Sequence, residues 1–142
     1  MSSIRFDRKK IVIVIGILVL SGIILQFFRP SLNNSPAMAD LSAPDQVKAI
    51  LQRACYDCHS NQTRLAWFDQ PVPAYWLVVR DVKAGRKVLN FSTFDSLPKA
   101  QQAGKLYEAL NQIEFHTMPL AAYTRLHREA ALSPEDISVL RQ

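Results

Sequence analysis

The feature that most restricts how this chain can fold is the pentapeptide CYDCH at residues 55–59. It contains the only two cysteines of the 142 residues, Cys55 and Cys58, and His59 follows the second one directly. Cysteines three positions apart lie on the same side of a helical turn, so both thiols can bond to one planar group beside it. C-x-x-C-H is the attachment pattern of c-type haem, whose iron is bound by the histidine. The motif therefore predicts one covalent haem c on Cys55 and Cys58, with His59 as the proximal iron ligand.

Two other chemistries use the same cysteine spacing. A thioredoxin-like C-x-x-C belongs in a βαβ setting, and no strand-like alternation surrounds this one. A structural zinc site needs a fourth ligand, and His116 and His127 are the only other histidines that could supply it. The sequence favours haem attachment, with zinc binding and dithiol chemistry as the alternatives.

Residues 11–28 form an apolar run of 18 residues without a charge, IVIVIGILVLSGIILQFF. As an α-helix this run would span about 27 Å, close to the hydrocarbon thickness of a bilayer. The basic residues around it are Arg5, Arg8, Lys9 and Lys10 before the run, and only Arg29 shortly after it. The positive-inside rule then places residues 1–10 in the cytoplasm and the body of the protein outside it. We expect a single-pass anchor in the bacterial inner membrane, with the body on the periplasmic side.

A cleaved signal peptide is the competing hypothesis for this segment, because Ala37-Met38-Ala39 fits an A-x-A cleavage site. However, the apolar run is longer than a usual signal-peptide h-region. It also ends some nine residues before the cleavage site. Both observations favour an uncleaved anchor.

The distribution of charge decides what the formal net charge of +5 means. Up to residue 39 the net charge is +4, and from residue 40 onward it is only +1. The basic excess therefore lies around the apolar run, and nucleic acid is not expected as a partner. The expected partner of residues 11–28 is the lipid bilayer, and the sequence does not identify a redox partner protein.

Residues 29–42, RPSLNNSPAMADLS, are rich in Pro, Ser and Asn and have no periodicity, which predicts a tether. Met38 lies in this tether and is not expected to bind iron. Residues 43–142 then form a single all-α domain. Ser42 is predicted to cap its first helix. The apolar face of that helix, formed by Val47, Ile50, Leu51 and Ala54, leads directly into Cys55.

Three further helices are predicted: one from Tyr75 to near Gly85, one over residues 100–115, and one that Ser133 caps. Trp67 and Trp76 are candidates for the wall of a haem pocket, although aromatic residues also dominate ordinary cores. Lys83, Arg86 and Lys87 are expected to form a solvated basic face. They are also candidates for contact with haem propionates or with a partner protein.

Met118 is the candidate distal iron ligand. Pro119 restricts the methionine to an extended backbone, so the thioether can be aimed at a fixed point. His116 and His127 compete with it for this role.

The order of these features resembles the class I cytochrome c fold and, more closely, a family of bacterial haem-binding domain proteins with a single c-type site. The matching stretches are CYDCHSNQT from Cys55, Trp67, the segment with Pro71, Pro73 and Trp76, GRKVLNFS at residues 85–92, and MPLAAYTRLHREAALS at residues 118–133. The resemblance covers residues 43–142. It implies covalent haem at Cys55 and Cys58, and iron ligation by His59 with Met118 as second ligand. His127 also fits the family pattern, without a role.

A His/Met ligand pair raises the reduction potential of haem iron and suits electron transfer. One alternative function is a haem-based sensor or small-gas binder, which needs an open sixth position. Another is an accessory subunit whose haem is structural. No nucleophile–base pair or carboxylate dyad stands out in the sequence, so the protein is not expected to be an enzyme.

Overall fold

The computed structural model describes residues 7–142, and within this range the chain is all-α, with no strand. Arg5 and most of the predicted cytoplasmic segment lie outside the described residues. The helices are α1 Arg8–Leu25, α2 Asp45–Ala54, α3 Tyr56–His59, α4 Ala74–Val88, α5 Lys99–Glu114, α6 Ala121–Leu126 and α7 Pro134–Leu140. The predicted all-α fold class is confirmed.

Helix α1 contains no buried residue. Together with the 3-10 turn Gln26–Phe28 it forms a stretch of 21 residues, in which a window of 18 residues has a mean hydropathy of 2.9. A helix of 18 residues is about 27 Å long, so α1 is long and apolar enough to cross a membrane.

Helix α2 starts at Asp45, two residues later than a cap at Ser42 predicts, and Ser42 does not cap it. The reason is Pro44, because a residue that precedes proline is disfavoured in the helical conformation. The backbone N–H of Ser42 instead donates to the Asp95 carboxylate. The predicted apolar face is correct: Ile50, Leu51 and Ala54 are buried, and Val47 packs on the core.

The main core lies where α2 and α3 meet the loop after α4. Its buried residues are Leu41, Leu51, Tyr56, Leu89, Phe91 and Phe94. The rings of Tyr56 and Phe91 stack with their centroids 5.1 Å apart and their planes 9° apart. The second residue of the CYDCH motif is therefore a core residue, and it fixes α3 against the NFS segment.

The segment at residues 29–42 was predicted as a tether, and the structure lays it along the domain. Leu41 belongs to the main core, and its N–H donates to the carbonyl oxygen of Phe91. The N–H groups of Met38 and Ala39 both donate to the carbonyl oxygen of Ser92. Backbone hydrogen bonds of this kind do not depend on a repeating side-chain pattern, so the sequence gives no periodic signal for them.

The predicted C-terminal helix has the cap that its sequence indicates. The Ser133 hydroxyl accepts from the N–H of Asp136, and the Asp136 carboxylate accepts from the N–H of Ser133. Helix α5 agrees with the prediction to within one residue. Helix α4 continues past Gly85 to Val88, so the glycine does not end the helix.

Candidate functional site

One cavity of about 540 Å³ brings together the residues that the sequence singles out. Cys55, Cys58, His59 and Met118 all line it. Its other walls are largely apolar and include Leu51, Ala54, Leu89, Phe91, Ile113 and Leu120. A cavity of this volume and character is typical of a site for a small molecule or a cofactor.

His59 is held in one orientation and one tautomer. Its Nδ1 lies 3.1 Å from the carbonyl oxygen of Leu89. Because a carbonyl can only accept, Nδ1 carries the proton and Nε2 keeps its lone pair free for a metal. Burial lowers the pKa of His59, and the backbone contacts to Leu89 and Gly85 only partly offset this. The imidazole is thus kept neutral, which is the form that binds iron.

Gly85 allows α4 to approach the motif closely. A Cβ atom at this position would lie 2.7 Å from the carbonyl oxygen of Cys58 and 3.3 Å from Cε1 of His59. Neither the backbone carbonyl nor the buried ring can move away easily. The glycine in GRKVLNFS is therefore required for helix packing next to the imidazole, and not for a turn.

The two thiols are in an apolar environment. Burial raises the pKa of Cys55 to about 12 and that of Cys58 to about 11. Among the described residues, no three or more His, Cys, Asp and Glu side chains are grouped so that they could hold a metal ion. The geometry therefore gives no support to the zinc alternative, and it fits thiols that face a large apolar group.

Met118 reaches the cavity from the loop after α5. The carbonyl oxygen of Gln112 accepts from the N–H of Thr117 at 3.0 Å, the N–H of Met118 at 3.1 Å and the Thr117 hydroxyl at 2.8 Å. These three bonds tie the loop to the last turns of the helix. The methionine is half-buried, and the fold brings it to the same cavity as His59, 59 residues earlier in the chain.

Trp67 and Trp76 do not line the cavity, so the structure does not support them as pocket wall. Trp67 is 78% exposed. The Trp76 indole N–H donates to the carbonyl oxygen of Phe28, at the end of the apolar segment. The aromatic wall is formed instead by Phe91 and Tyr123. Trp67 and Trp76 are close to the motif in sequence, but the chain leaves the cavity after His59 and lines it again only from Asp81.

The two competing histidines also lie away from the cavity lining. His116 is exposed and lies just after α5, with a φ of 55°. His127 is buried, with Nε2 3.1 Å from the Asp69 carboxylate and Nδ1 3.4 Å from that of Glu129. Its ring stacks on Tyr123 with centroids 4.2 Å apart. Both nitrogens of His127 face carboxylates, so its contacts are structural. The sequence did not reveal this role.

Two further residues support the site, and the sequence did not identify either role. The Tyr123 hydroxyl donates to the Asp57 carboxylate at 2.8 Å, which ties α6 to the CYDCH motif. Arg86 donates to the carbonyl oxygens of Ser60 and Asn33, to the Asn34 side chain and to the Thr63 hydroxyl. Arg86 is therefore a clamp around the turn after the motif, and not part of a solvated face.

An α-helical domain whose apolar cavity presents a neutral histidine beside two cysteine thiols belongs to the class of haem-binding proteins. The family model described as Haem-binding domain matches residues 20–142, and this chain belongs to that family. The match starts inside α1, and so it includes the segment that was predicted as a tether. Neither a curated protein nor a solved structure matches the chain.

Proposed function

We propose that this protein is a membrane-anchored mono-haem c-type cytochrome that transfers electrons on the periplasmic side of a bacterial inner membrane. The observation that carries the proposal is the meeting of Cys55, Cys58, His59 and Met118 in one apolar cavity. The family supports haem as the cofactor. The C-x-x-C-H pattern supports its covalent attachment.

Each of the four residues has a distinct role in this proposal. Cys55 and Cys58 form the two thioether bonds, and His59 binds the iron through the nitrogen that its contact with Leu89 leaves free. Met118 would supply the second iron ligand. The bound haem contributes a one-electron couple, whose potential a methionine ligand raises.

The site is better suited to a carrier than to a sensor or a catalyst. A sensor needs an open coordination position, whereas the thioether of Met118 is held at the cavity by a loop with three anchoring hydrogen bonds. The proposal assigns no catalytic residue. The apolar lining limits water access and so favours a change of iron charge without chemistry on a substrate.

Covalent attachment is tested by the mass of the intact protein. We expect one haem in excess of the polypeptide mass, and retention of that haem through denaturation and acid–acetone extraction. Cys55→Ser and Cys58→Ser should each leave a single thioether and less haem-loaded protein. Purified protein that carries zinc and no porphyrin would contradict the proposal.

Electron transfer is tested by redox titration of the purified protein. We expect reversible one-electron reduction and reoxidation, with no binding of carbon monoxide to the ferrous protein. Ready binding of carbon monoxide by the wild type would instead favour the sensor.

The proposed topology is tested with a reporter fused after Gln142. A reporter active only outside the cytoplasm should work, and one active only in the cytoplasm should not. The N-terminal sequence of the mature protein provides a second check, because Asp40 as first residue would show cleavage after Ala39.

A further inference from the structure

The end of the apolar helix is bonded directly to the start of α4. The Gln26 side chain accepts from the N–H of Val72 at 3.1 Å and donates to its carbonyl oxygen at 3.4 Å. It also donates to the carbonyl oxygen of Gly22 in α1. One glutamine therefore joins α1 to the turn that precedes α4.

Two aromatic residues in the first turn of α4 add to this junction. The Trp76 indole N–H donates to the carbonyl oxygen of Phe28 at 3.0 Å. The Arg29 guanidinium lies 4.2 Å from the centroid of the Tyr75 ring, in cation–π geometry. Gln26, Phe28 and Arg29 therefore all contact either the first turn of α4 or the loop before it.

The remainder of the segment is fixed to the domain further along α4. Leu32 packs against the cluster of Val72, Tyr75 and Val79. Arg86, near the other end of α4, donates to the carbonyl oxygen of Asn33. The Asn34 side chain donates to the carbonyl oxygen of Thr63 at 2.9 Å. From α1 to the core the chain therefore has repeated contacts, with few residues free to act as a hinge.

The surface beside this junction is apolar and aromatic. Phe27, Phe28, Trp76 and Leu77 are all exposed. Tryptophan is typical of the membrane–water interface, and an arginine at the end of a spanning helix, as Arg29 would be, extends its charged head to that interface. This surface begins where the apolar run of α1 ends, so the apolar surface of the helix continues onto the domain.

We infer that the haem domain is docked on the bilayer, with the first turn of α4 in the interfacial layer, and does not swing on a flexible tether. The occupant of the surface formed by Phe27, Phe28, Trp76 and Leu77 is the headgroup and upper acyl region of the lipid that surrounds α1. The inference rests on the proposed membrane anchoring. Its consequence is that the haem is held at a fixed height, where a partner must approach it.

The test uses single introduced cysteines in the haem-loaded, full-length protein in lipid nanodiscs. The native cysteines are taken up by thioether bonds, and the wild type gives the background. The probe is a bulky, water-soluble maleimide, and the positions are Leu77→Cys in the proposed interface, Leu106→Cys as matched control and Val19→Cys in α1. Leu77 is 55% exposed and Leu106 43% exposed in the chain by itself, so both are open to the reagent without lipid.

Leu106 is a suitable control because it lies away from the junction. Its neighbour Lys105 donates to the carbonyl oxygen of Val88, the last residue of α4. The first and last residues of this 15-residue helix are about 21 Å apart. The absorption spectrum of the haem shows that each variant is folded.

The expected result is complete modification of Leu106→Cys under conditions in which Leu77→Cys and Val19→Cys do not react. Adding Gln26→Leu and Trp76→Phe to Leu77→Cys should then increase its reaction, because these changes remove the side-chain hydrogen bonds that join Gln26 to Val72 and Trp76 to Phe28. Equal reaction of Leu77→Cys and Leu106→Cys, with Val19→Cys protected, would show that the domain is anchored but moves freely. That result would overturn the docking inference and leave the membrane anchor standing. Reaction at 19 would overturn the membrane anchor and the docking together.

Protection of Leu77→Cys that persists in full-length protein taken out of the nanodiscs, under conditions in which Val19→Cys reacts, would identify a protein surface as its cover. That result would also overturn the inference.

Discussion

The imidazole Nδ1 of His59 lies 3.1 Å from the carbonyl oxygen of Leu89, the residue that directly follows α4. The orientation of the proposed iron ligand thus depends on where this helix stops. Both the close approach of α4 at Gly85 and its end at Val88 determine how the ring faces the cavity. A change that shifts α4 should therefore alter the iron site even when it leaves the CYDCH motif intact.

Gly85→Ala tests this dependence. Alanine is favoured over glycine inside a helix by about 0.5–1 kcal/mol, but the added methyl group would lie 2.7 Å from the Cys58 carbonyl oxygen. Overpacking of this kind costs about 1–3 kcal/mol, so we expect net destabilisation and a perturbed haem spectrum. Denaturant unfolding and absorption spectroscopy measure the two effects.

Gly16→Ala is the matched control, because it lies inside a helix, does not line the cavity, and nothing beyond its own helix backbone and chain neighbours lies within 4 Å of the added Cβ. It should keep the wild-type free energy of unfolding or raise it slightly. Equal effects of the two substitutions would show that α4 does not constrain His59.

Arg86→Lys tests the clamp on the turn after the motif. Lysine keeps the charge but cannot reproduce the fork that reaches the Ser60 and Asn33 carbonyl oxygens together with Thr63. We expect a loss of about 1–3 kcal/mol in the free energy of unfolding. Lys87→Ala, at an exposed neighbouring position, should change it by less than about 0.5 kcal/mol. Similar changes in the free energy of unfolding for both variants would show that Arg86 is an ordinary solvated residue.

The sequence indicated the parts of the site that depend on local chemistry. Cys55, Cys58 and His59 have a spacing that few structures use, and Met118 is marked by the proline that follows it. The cap of α7 was equally visible, since Ser133 and Asp136 interact within one turn. The common feature is that each pattern lies within a few residues of the chain.

The features that the sequence did not reveal depend on contacts between distant segments. In the sequence, Gly85 suggests the end of a helix. In the structure, it allows α4 to pack closely against the backbone of Cys58. In the sequence, Arg86 suggests a surface charge. In the structure, it forms hydrogen bonds to residues in the ranges 33–34 and 60–63. Trp76 is predicted at the pocket because it follows the motif in sequence, yet its N–H donates to Phe28 at the end of the apolar segment. Contacts between segments that are distant in the sequence cannot be predicted from residue type and local spacing.

His127→Ala tests whether this histidine is structural. The substitution leaves the buried Asp69 carboxylate without its imidazole partner, which costs about 1–3 kcal/mol. The spin state of the haem iron should stay unchanged.

His116→Gly is the companion variant. It should also keep the spectrum, and glycine accepts the φ of 55° without strain. Loss of low-spin character in either histidine variant would indicate a bis-histidine site.

Tyr123→Phe should change how stability depends on alkaline pH. Burial and the nearby Asp57 carboxylate raise the pKa of Tyr123, whereas in the unfolded chain a tyrosine ionises near pH 10. The stabilisation that this group gives is complete below the unfolded pKa and is lost as the pH rises above about 10. Unfolding experiments should show a smaller alkaline loss for Tyr123→Phe than for the wild type. An identical alkaline loss would contradict the buried hydrogen bond to Asp57.

The central claim is that His59 and Met118 bind one iron in the cavity, and the absorption spectrum of the ferric protein tests it most directly. The wild type should show the weak far-red band of iron–methionine coordination. Met118→Ala should abolish this band, lower the reduction potential and open the iron to carbon monoxide. Met38→Ala, at a methionine that is 89% exposed, should leave the spectrum unchanged. A Met118→Ala spectrum identical to that of the wild type would contradict the claim.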